Sequence, residues 1–388
     1  MTRFLLLLFV LAFATGCTKG ELLDFAMHTA PRATPGPRRV GQYEVLAGDM
    51  HTHVLPPDSG WHVTRDFPDT VRLAQQEGLD FAVLTPHVSG RFYMRDERDW
   101  VLETQAQLRT RVAAASTSTN VIFVPGMEYT DHRYGHVGLA FADVAKVLAE
   151  VSPEDPPERF FERWVAHGGL MTINHPVLRG IRHAPFMELR YDLGWRALFD
   201  NPPPVPPEIA WITEHATSIE TLNTSISHLR DQFIIGDVER TLREGAHLAD
   251  RLARTQHRRV TPVGGSDSHG EWLRPTTWLL ARERSISGIH EAIVRGRTCV
   301  RGPAGCTLTA RVAGEPEINV GGSLASGSAR TISLRSEGLQ AAYYVNGALV
   351  AEGPSATISV PGTCVLVRAI VDESWSAPIY VDCPWLAD

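Results

Sequence analysis

From Tyr43 to Val294 the sequence alternates between short apolar runs and longer stretches with the period of an amphipathic helix. Short apolar runs are typical of buried strands, and the longer stretches are typical of helices that cover a sheet. Strands that alternate with helices form parallel β/α units. We therefore predict an α/β fold, a closed or partly closed β/α barrel, with strands near residues 43–46, 81–84, 121–124, 170–173, 218–222 and 260–263 and helices near residues 69–76, 99–115, 158–167, 238–254 and 286–294.

Two segments depart from this alternation. Residues 202–207 read Pro-Pro-Pro-Val-Pro-Pro, and because proline lacks an amide hydrogen we predict a surface loop there. After Gly302 the helical stretches stop, and short β-type runs follow one another between Gly, Pro and Ser residues. This pattern predicts a barrel over residues 41–303 and a small all-β, sandwich-like C-terminal module over residues 304–388.

The N-terminus has the pattern of an export signal. An apolar run over residues 4–13 follows Arg3, and it is shorter than the roughly 20 residues that a membrane-spanning helix needs. Residues 1–17 resemble a bacterial lipoprotein signal, which implies cleavage before Cys17 and a lipid on that residue. Plain secretion and an uncleaved anchor are the alternatives. Residues 18–40 contain three prolines and predict a tether, so we expect an exported protein, either anchored to the cell envelope or secreted.

Four further cysteines lie near the C-terminal end of the chain. An oxidising compartment favours disulfides for an even set, but the sequence does not choose among the three possible pairings, and reduced thiols are an alternative. A zinc site is disfavoured because no two of them form a C-x-x-C pair. These residues are Cys299, Cys306, Cys364 and Cys383.

The overall charge limits the kinds of partner. With 37 Lys and Arg against 44 Asp and Glu, the formal net charge is −7. General binding to nucleic acid depends on clustered cations, so this balance disfavours it. We expect a small-molecule partner, and contact with a membrane only through the lipid anchor.

Histidines and acids recur where the predicted strands end. In β/α barrels these ends form one mouth, and residues two apart on a strand point the same way. Any one of them has an ordinary structural explanation, such as a turn cap or a hydrogen-bonded histidine. Their shared position in the topology instead predicts a common site, made of His51, His53, Asp58, His87, Glu128, His136, His175, Asp267 and His269.

These nine donors predict a metal centre. Imidazole nitrogens and carboxylate oxygens are preferred by zinc, manganese and iron, and nine donors exceed what one tetrahedral ion needs. We therefore expect two or three divalent ions. Coordination lowers the pKa of water, so a hydroxide held between metals would attack the substrate in a metal-assisted hydrolysis.

The ordered motifs resemble those of the polymerase-and-histidinol-phosphatase superfamily of metal-dependent phosphoesterases. Residues 125–130, 135–139 and 296–303 are similar in particular to the branch that includes the carbaryl hydrolases. The resemblance covers residues 48–303 and implies a distorted seven-stranded β/α barrel whose di- or trinuclear centre is bridged by Glu128. One motif departs from the family pattern, because Pro86 stands where an aspartate usually precedes His87.

Other polar residues near the predicted mouth are candidates for binding substrate. Arg91 and Arg133 follow two of the donor strands, and arginine can grip phosphate oxygens in a bidentate way. Asn174 and Asn223 could hold a substrate oxygen or tie a loop. Three additional histidines are candidates for the general acid, and the sequence does not choose among His62, His132 and His183.

The sequence is compatible with three functions. The leading hypothesis is an exported metal-dependent phosphoesterase. The first alternative keeps the metal site but hydrolyses a carbamate or a carboxylic ester. The second alternative is a catalytically idle surface binding protein, which the donor set argues against because so many desolvated polar groups are costly to keep in one place.

Overall fold

The computed structural model describes residues 35–178, 181–183, 187–189, 193–225, 238–328, 330–338 and 340–386. The signal segment, Cys17 and most of the tether lie outside the described residues. Seven helices of the described chain are α1 (Phe67–Gln76), α2 (Glu97–Ala115), α3 (Val144–Leu148), α4 (Arg159–Ala166), α5 (Pro207–His215), α6 (Val238–Thr255) and α7 (Ile286–Val294). Among the described residues, no helix is both long enough and apolar enough to cross a bilayer.

The strands of the first three quarters of the chain form one mixed sheet, with a separate small hairpin. Each of the six predicted strands is present and begins within one residue of its predicted position. The strands of this part are β1 (Arg39–Val40), β2 (Tyr43–Thr52), β3 (Phe81–Leu84), β4 (His87–Ser89), β5 (Ile122–Asp131), β6 (Gly135–Ala140), β7 (Leu170–Ile173), the hairpin β8 (Ile181–His183) and β9 (Met187–Leu189), then β10 (Ser218–Asn223), β11 (Thr261–Gly265), β12 (Thr277–Ala281) and β13 (Thr298–Val300).

The pairing of these strands is only partly parallel. Strands β2, β3 and β5 are parallel neighbours, as are β7, β10 and β11. Between the two groups β6 runs antiparallel to both β5 and β7, because a tight hairpin at residues 131–135 joins β5 to β6. The expectation of uniform β/α units is therefore wrong at β6, where no helix separates two strands.

The two ends of this sheet approach each other at the C-terminal end of β2. The amide of Asp267 donates to the carbonyl of His51 over 2.8 Å, and the amide of His53 donates to the carbonyl of Ser268 over 3.1 Å. Only a single bridge, between Thr52 and Ser268, links these segments as strands, and the edge of β2 pairs instead with antiparallel β12. In the described part of the chain a strictly closed barrel is therefore not shown.

The helices cover the sheet with their apolar faces. Helix α4 buries Phe160, Phe161 and Trp164 in the same cluster as the side chains of β6 and β7. Burying one side chain of this size contributes about 1.5–3 kcal/mol. Capping fixes where other helices begin: the carboxylate of Asp66 accepts the Asp69 amide hydrogen over 2.8 Å at α1.

The proline-rich segment is a loop only in part. Residues 201–206 contain no helix or strand, as predicted, but Pro207 opens helix α5. Proline is well suited to the first helical position, since its amide would have no partner there in any case. The prediction of a loop up to Pro207 is therefore wrong at its last residue.

The C-terminal residues form two facing β layers. One is a four-stranded antiparallel sheet of β14 (Thr309–Arg311), β15 (Ile318–Asn319), β17 (Thr331–Arg335) and β20 (Ser355–Ser359). The other continues the large sheet, because β22 pairs with β13. It consists of β16 (Ser323–Leu324), β18 (Ala341–Val345), β19 (Ala348–Glu352), β21 (Val365–Val371), β22 (Ser374–Ser376) and β23 (Ile379–Val381).

The two layers share an apolar core with the outer face of β2 and β12. Ile332 and Leu334 from one layer, Val367 from the other and Trp278 from β12 belong to one buried cluster. Two disulfides lie at this end of the molecule, Cys299–Cys306 and Cys364–Cys383. They settle the pairing that the sequence left open.

Candidate metal centre

The centre begins with the two histidines at the end of β2. His51 is the penultimate position of that strand and His53 follows it, so both rings turn to the same side. Their Nε2 atoms are 3.2 Å apart, and both side chains are fully buried. Behind them the carboxylate of Asp49 accepts the amide hydrogens of His51 and of Ser266, over 3.0 and 2.9 Å, which ties the end of β2 to the segment after β11.

Glu128 lies at the middle of the donor set. The parallel register of β4 and β5 places it opposite His87, and the hairpin brings His136 beside it. Its Oε1 atom is 3.1 Å from His51 Nε2, 3.2 Å from His136 Nδ1 and 3.5 Å from His175 Nε2. Its Oε2 atom is 3.4 Å from His87 Nε2. One buried carboxylate therefore contacts donors from four strand ends.

The segment after β11 completes the cluster. Asp267 Oδ1 is 3.1 Å from His53 Nε2, and the His269 ring stacks on the His53 ring with centroids 4.0 Å apart. Asp267 and His175 both have positive φ, at 51° and 31°. Such conformations cost about 1–3 kcal/mol in a residue with a side chain and persist where surrounding contacts enforce them, often at functional sites.

The donors fall into four overlapping triads. Within each triad the ligand atoms all lie within 4.8 Å of one another, which is close enough to share one ion. The triads contain eight of the nine predicted ligands and one residue that the sequence analysis missed. They are His53, His87 and His269; His51, His175 and Glu220; His51, His53 and Asp267; and Glu128, His136 and His175.

Five histidines are oriented in the same way. The Nδ1 of each lies at hydrogen-bond distance from an oxygen that can only accept, so that nitrogen carries the proton and Nε2 carries the lone pair. The Nε2 atoms of at least four face the centre. The pairs are His51 with Glu220 (3.1 Å), His53 with Asp58 (3.1 Å), His87 with Asp58 (2.8 Å), His175 with the Leu193 carbonyl (2.9 Å) and His269 with the Asp267 carbonyl (2.7 Å).

This orientation fits bound cations. Lone pairs on Nε2 atoms that face each other and face carboxylates repel unless a positive charge lies between them. Metal-ligating histidines in proteins almost always donate their other ring nitrogen to a carboxylate or a carbonyl, which is the pattern seen here. Imidazole and carboxylate donors suit zinc, manganese or iron. The residues present therefore fit bound divalent ions.

Protons are the other positive charges that these lone pairs attract. Burial lowers the pKa of His51, but Glu128, Asp267 and Glu220 outweigh burial and hold that pKa well above its usual value. The pKa values of His53 and His175 are raised for the same reason. Burial opposes ionisation of Glu128, yet His136 and His51 hold its pKa well below the usual range. The protein alone thus attracts protons where the metals would bind.

Two acids act behind the rings. Asp58, predicted as a ligand, lies outside the four triads, where it accepts from two rings and from the His87 amide over 3.0 Å. Glu220 was missed. Besides His51 it accepts the His175 amide hydrogen over 2.6 Å, and a side chain on Gly265 would collide with it. The signal available in the sequence is an acid between Ile219 and Leu222 of a predicted buried strand, since such a strand seldom holds an unpartnered charge.

The structure separates the predicted substrate residues into two kinds. Asn174 and Asn223 are buried in the centre, where Asn174 donates to Glu128 Oε1 over 2.8 Å and Asn223 donates to Asp267 Oδ2 over 3.1 Å. Arg91 and Arg133 lie farther out. Arg91 forms an ion pair with buried Glu208 over 2.5 Å and is 40% exposed, and Arg133 stacks on the Tyr134 ring in the β5–β6 hairpin.

The three additional histidines are not equivalent. The ring of His62 lies 5.8 Å from the ring of His87, between centroids. His132 is exposed in the hairpin after β5, and the side chain of His183 lies outside the described residues. Arg65 was not singled out from the sequence, yet this buried side chain donates to the carbonyls of His53 and Trp272 over 3.0 and 2.9 Å. It joins the two loops that hold the donors.

Comparisons with known proteins find similarity among solved structures alone. No family model matches the sequence, and no curated protein matches it. A two-domain protein containing a predicted PHP-like metal-dependent phosphoesterase, from Bacteroides vulgatus, is 16% identical over 91% of this chain and 99% of its own, with a TM-score of 0.46.

Two further structures are similar over part of the chain. Endonuclease Q, in complex with a 27-mer duplex bearing an abasic lesion, is 12% identical over 64% of this chain and 56% of its own, with a TM-score of 0.37. A putative metal-dependent phosphoesterase from Bifidobacterium adolescentis is 11% identical over 64% of this chain and 96% of its own, with a TM-score of 0.32. At these scores the likeness identifies neither a family nor an activity.

Proposed function

We propose that this chain is a metal-dependent hydrolase of phosphoesters that holds two or three divalent ions of zinc, manganese or iron. The observation that carries the proposal is the common orientation of five imidazoles, four of them buried. An acceptor oxygen lies at each Nδ1, and the Nε2 atoms of at least four face the donor cluster around Glu128 and Asp267. Hydrogen-bonded structural histidines have no reason to converge in this way. The proposed ligands are His51, His53, His87, Glu128, His136, His175, Asp267 and His269.

Bound there, divalent ions supply a water of lowered pKa and neutralise negative charge on the ester that is attacked. The chain itself provides preorganisation. Asn174 and Asn223 hold the oxygens of Glu128 and Asp267 by hydrogen bonds, so these carboxylates need not reorient during turnover. Asp58 and Glu220 fix the tautomers of three rings. Such outer contacts decide whether a metal site is built accurately enough to act.

Two arginines outside the donor cluster favour an anionic substrate. Arg91 follows β4, which carries His87, and Arg133 follows β5, which carries Glu128, so both arginines lie beyond the same strand ends as the donors. The ion pair with Glu208 holds the Arg91 guanidinium in place while leaving it partly exposed. A fixed guanidinium can donate hydrogen bonds to two phosphate oxygens at little entropic cost. We assign Arg91 and Arg133 to phosphate binding.

The protein purified without metal and then reconstituted with Zn²⁺, Mn²⁺ or Fe²⁺ tests the proposal. It should hydrolyse p-nitrophenyl phosphate or bis-p-nitrophenyl phosphate, and activity should follow the metal bound per chain. Turnover of a naphthyl carbamate alone would move the reaction to carbamates or carboxylic esters. Less than one metal per chain together with no hydrolysis would favour a binding protein.

We also propose export with a lipid on Cys17. The support is the sequence of residues 1–17, together with two disulfides at the C-terminal end, which suit an oxidising compartment. Cys17→Ser should move the protein from the membrane fraction to the soluble fraction of the exporting cell. An unchanged distribution would contradict the lipid anchor.

A further inference from the structure

The loop after β2 carries an exposed tryptophan next to the candidate metal centre. Trp61 is 64% exposed, more than any other large apolar side chain of the described residues. It lies in a run of four exposed residues, 59–62, between buried Asp58 and buried Val63. An exposed indole offers a large apolar surface to a ligand, and this one follows a strand at whose end two of the donors lie.

This loop is fixed to the centre at both of its ends. At one end the Asp58 carboxylate accepts from the rings of His53 and His87. At the other end the Thr64 amide donates to the carbonyl of His269 over 2.9 Å. Trp61 is three residues from each anchor, so its Cα lies within about 11 Å of both. The loop therefore holds the indole at the edge of the candidate metal centre.

The turn inside the loop is itself ordered. The amides of His62 and Val63 both donate to the carbonyl of Ser59 over 2.9 Å. His62, the next residue along the chain, brings its ring to 5.8 Å from that of His87. A rigid backbone holds the exposed ring in one region, so little conformational entropy is lost when a ligand packs on it.

We propose that Trp61 is a stacking platform for a planar aromatic group of the substrate, which makes aryl and heteroaryl phosphoesters the preferred substrates. This inference rests on the proposed function, because the phosphoryl group must reach the metals while the ring packs on the rim. Arg91 and Arg133 would then contact the anionic end of a substrate whose aromatic end contacts Trp61. Tryptophan offers a large flat surface, and stacking accepts any ring with a π face.

The test compares phenyl phosphate with ethyl phosphate in the metal-reconstituted protein. The intrinsic reactivity of each ester cancels when each variant is compared with the wild type on the same substrate. Trp61→Ala should lower kcat/KM for phenyl phosphate by about 5- to 10-fold, mainly through KM, since one stacked ring is worth at least that much in similar sites. For ethyl phosphate the change should stay within about twofold.

Two controls keep the result specific. Trp61→Phe retains a flat ring and should restore most of the preference for phenyl phosphate. Trp100→Ala removes another exposed indole, 44% exposed on α2 and outside the four triads, and should leave both substrates unchanged. Two outcomes overturn the stacking role while the phosphoesterase proposal stands. In one, Trp61→Ala lowers the activity on both esters equally; in the other, it changes the activity on neither ester.

A binding measurement separates this inference from the proposed function. Phenylphosphonate and methylphosphonate are not hydrolysed, and titration calorimetry can compare their affinities for the metal-loaded protein. Phenylphosphonate should bind about 5- to 10-fold more tightly to the wild type, and Trp61→Ala should remove the difference. If the wild type hydrolyses neither ester, the proposed function fails, and the phosphonate preference still decides whether Trp61 stacks. Equal affinities in the wild type overturn the stacking role.

Discussion

Two of the regions where the described chain buries charged side chains are built differently. Where α6 meets the C-terminal sheet, Asp250 and Arg368 form a buried ion pair, with Arg368 Nε donating to both carboxylate oxygens over 2.9 and 3.0 Å. Its Nη1 atom donates to the Ser376 carbonyl over 2.8 Å. One positive charge meets one negative charge, and protein oxygens accept from the guanidinium. This region needs no ligand.

The donor cluster is not complete in the same way. Four carboxylates are buried together here, those of Glu128, Asp267, Asp58 and Glu220. The histidine rings among them carry no charge when their Nε2 lone pairs are available to a metal ion. Burying several negative charges without compensation is prohibitively costly. A buried cluster whose charges are neutralised by other protein side chains is structural. A buried cluster that needs added cations for neutrality indicates a metal site.

The largest expected effect comes from removing a central donor. His51→Ala and Asp267→Ala should each lower kcat by about a thousandfold or more, because several kcal/mol of metal-derived stabilisation is lost, and should reduce the metal bound per chain. Activity on p-nitrophenyl phosphate and elemental analysis check this. His290→Ala, which removes an imidazole from α7 outside the triads, should behave like the wild type. Full activity in either donor variant would contradict the assignment.

The balanced pair should respond in stability and not in metal binding. Arg368→Met leaves the Asp250 carboxylate buried and unpaired, which typically costs roughly 3–5 kcal/mol. Denaturant unfolding should show this loss whether or not metal is present. Metal content per folded chain should remain that of the wild type. A variant that lost metal while keeping its stability would reverse the roles that we give to the two regions.

The acids behind the rings should have intermediate effects. Glu220→Gln and Asp58→Asn keep the shape of the side chain but weaken its hold on the Nδ1 hydrogens of His51, His53 and His87. We expect each variant to lose about 10- to 100-fold in metal affinity or activity, which is the typical cost of removing such an outer contact. Competition with a chromogenic chelator measures the affinity. Glu214→Gln, an exposed position on α5, is the matched control and should show no change.

The sequence predicts the donors better than it predicts how they are held. His51, Glu128 and Asp267 could be found because a strand end is recognisable from apolar periodicity and the donors follow it directly. Arg65 could not be found, and Glu220 only from its place in a predicted buried strand, since the roles of both depend on contacts with residues 207 and 169 positions away in the chain. The same holds for the fold: strand positions follow from local patterns, but the antiparallel β6 depends on a hairpin that lacks an intervening helix.

Pairing partners that are distant in sequence were also out of reach. The sequence separates an α/β part from an all-β part near Gly302, yet β22 pairs with β13 and the layers share a core with β2 and β12. Local propensity contains no information about which sheet edge a strand joins. The disulfide pairing was open for the same reason, since three pairings fit one spacing.

The smallest expected effect is a pH dependence confined to the donor cluster. In the protein alone the pKa values of His51, His53 and His175 are raised above 6.5, so these rings keep their protons as pH rises past that value. Their ion pairs with the carboxylates therefore stabilise the fold fully below about pH 6.5, and this contribution is lost as pH rises through the raised pKa values. The lowered pKa values of Glu128 and Asp267 set the opposite limit, where stability is lost as pH falls through them.

Bound metal should prevent the loss of stability at high pH, because a metal ion replaces the proton on each Nε2. The Tm of the metal-free protein should fall as the pH rises above about 6.5 and through the raised pKa values, while the Tm of the metal-loaded protein should stay level. Metal affinity should rise by about tenfold per pH unit for each proton displaced, and calorimetry in buffers of different ionisation enthalpy counts those protons. Arg368→Met should lower both Tm curves without changing their slopes, since the Asp250–Arg368 pair binds no metal. A metal-free Tm that is independent of pH would show that the cluster, like that pair, is balanced by the chain alone.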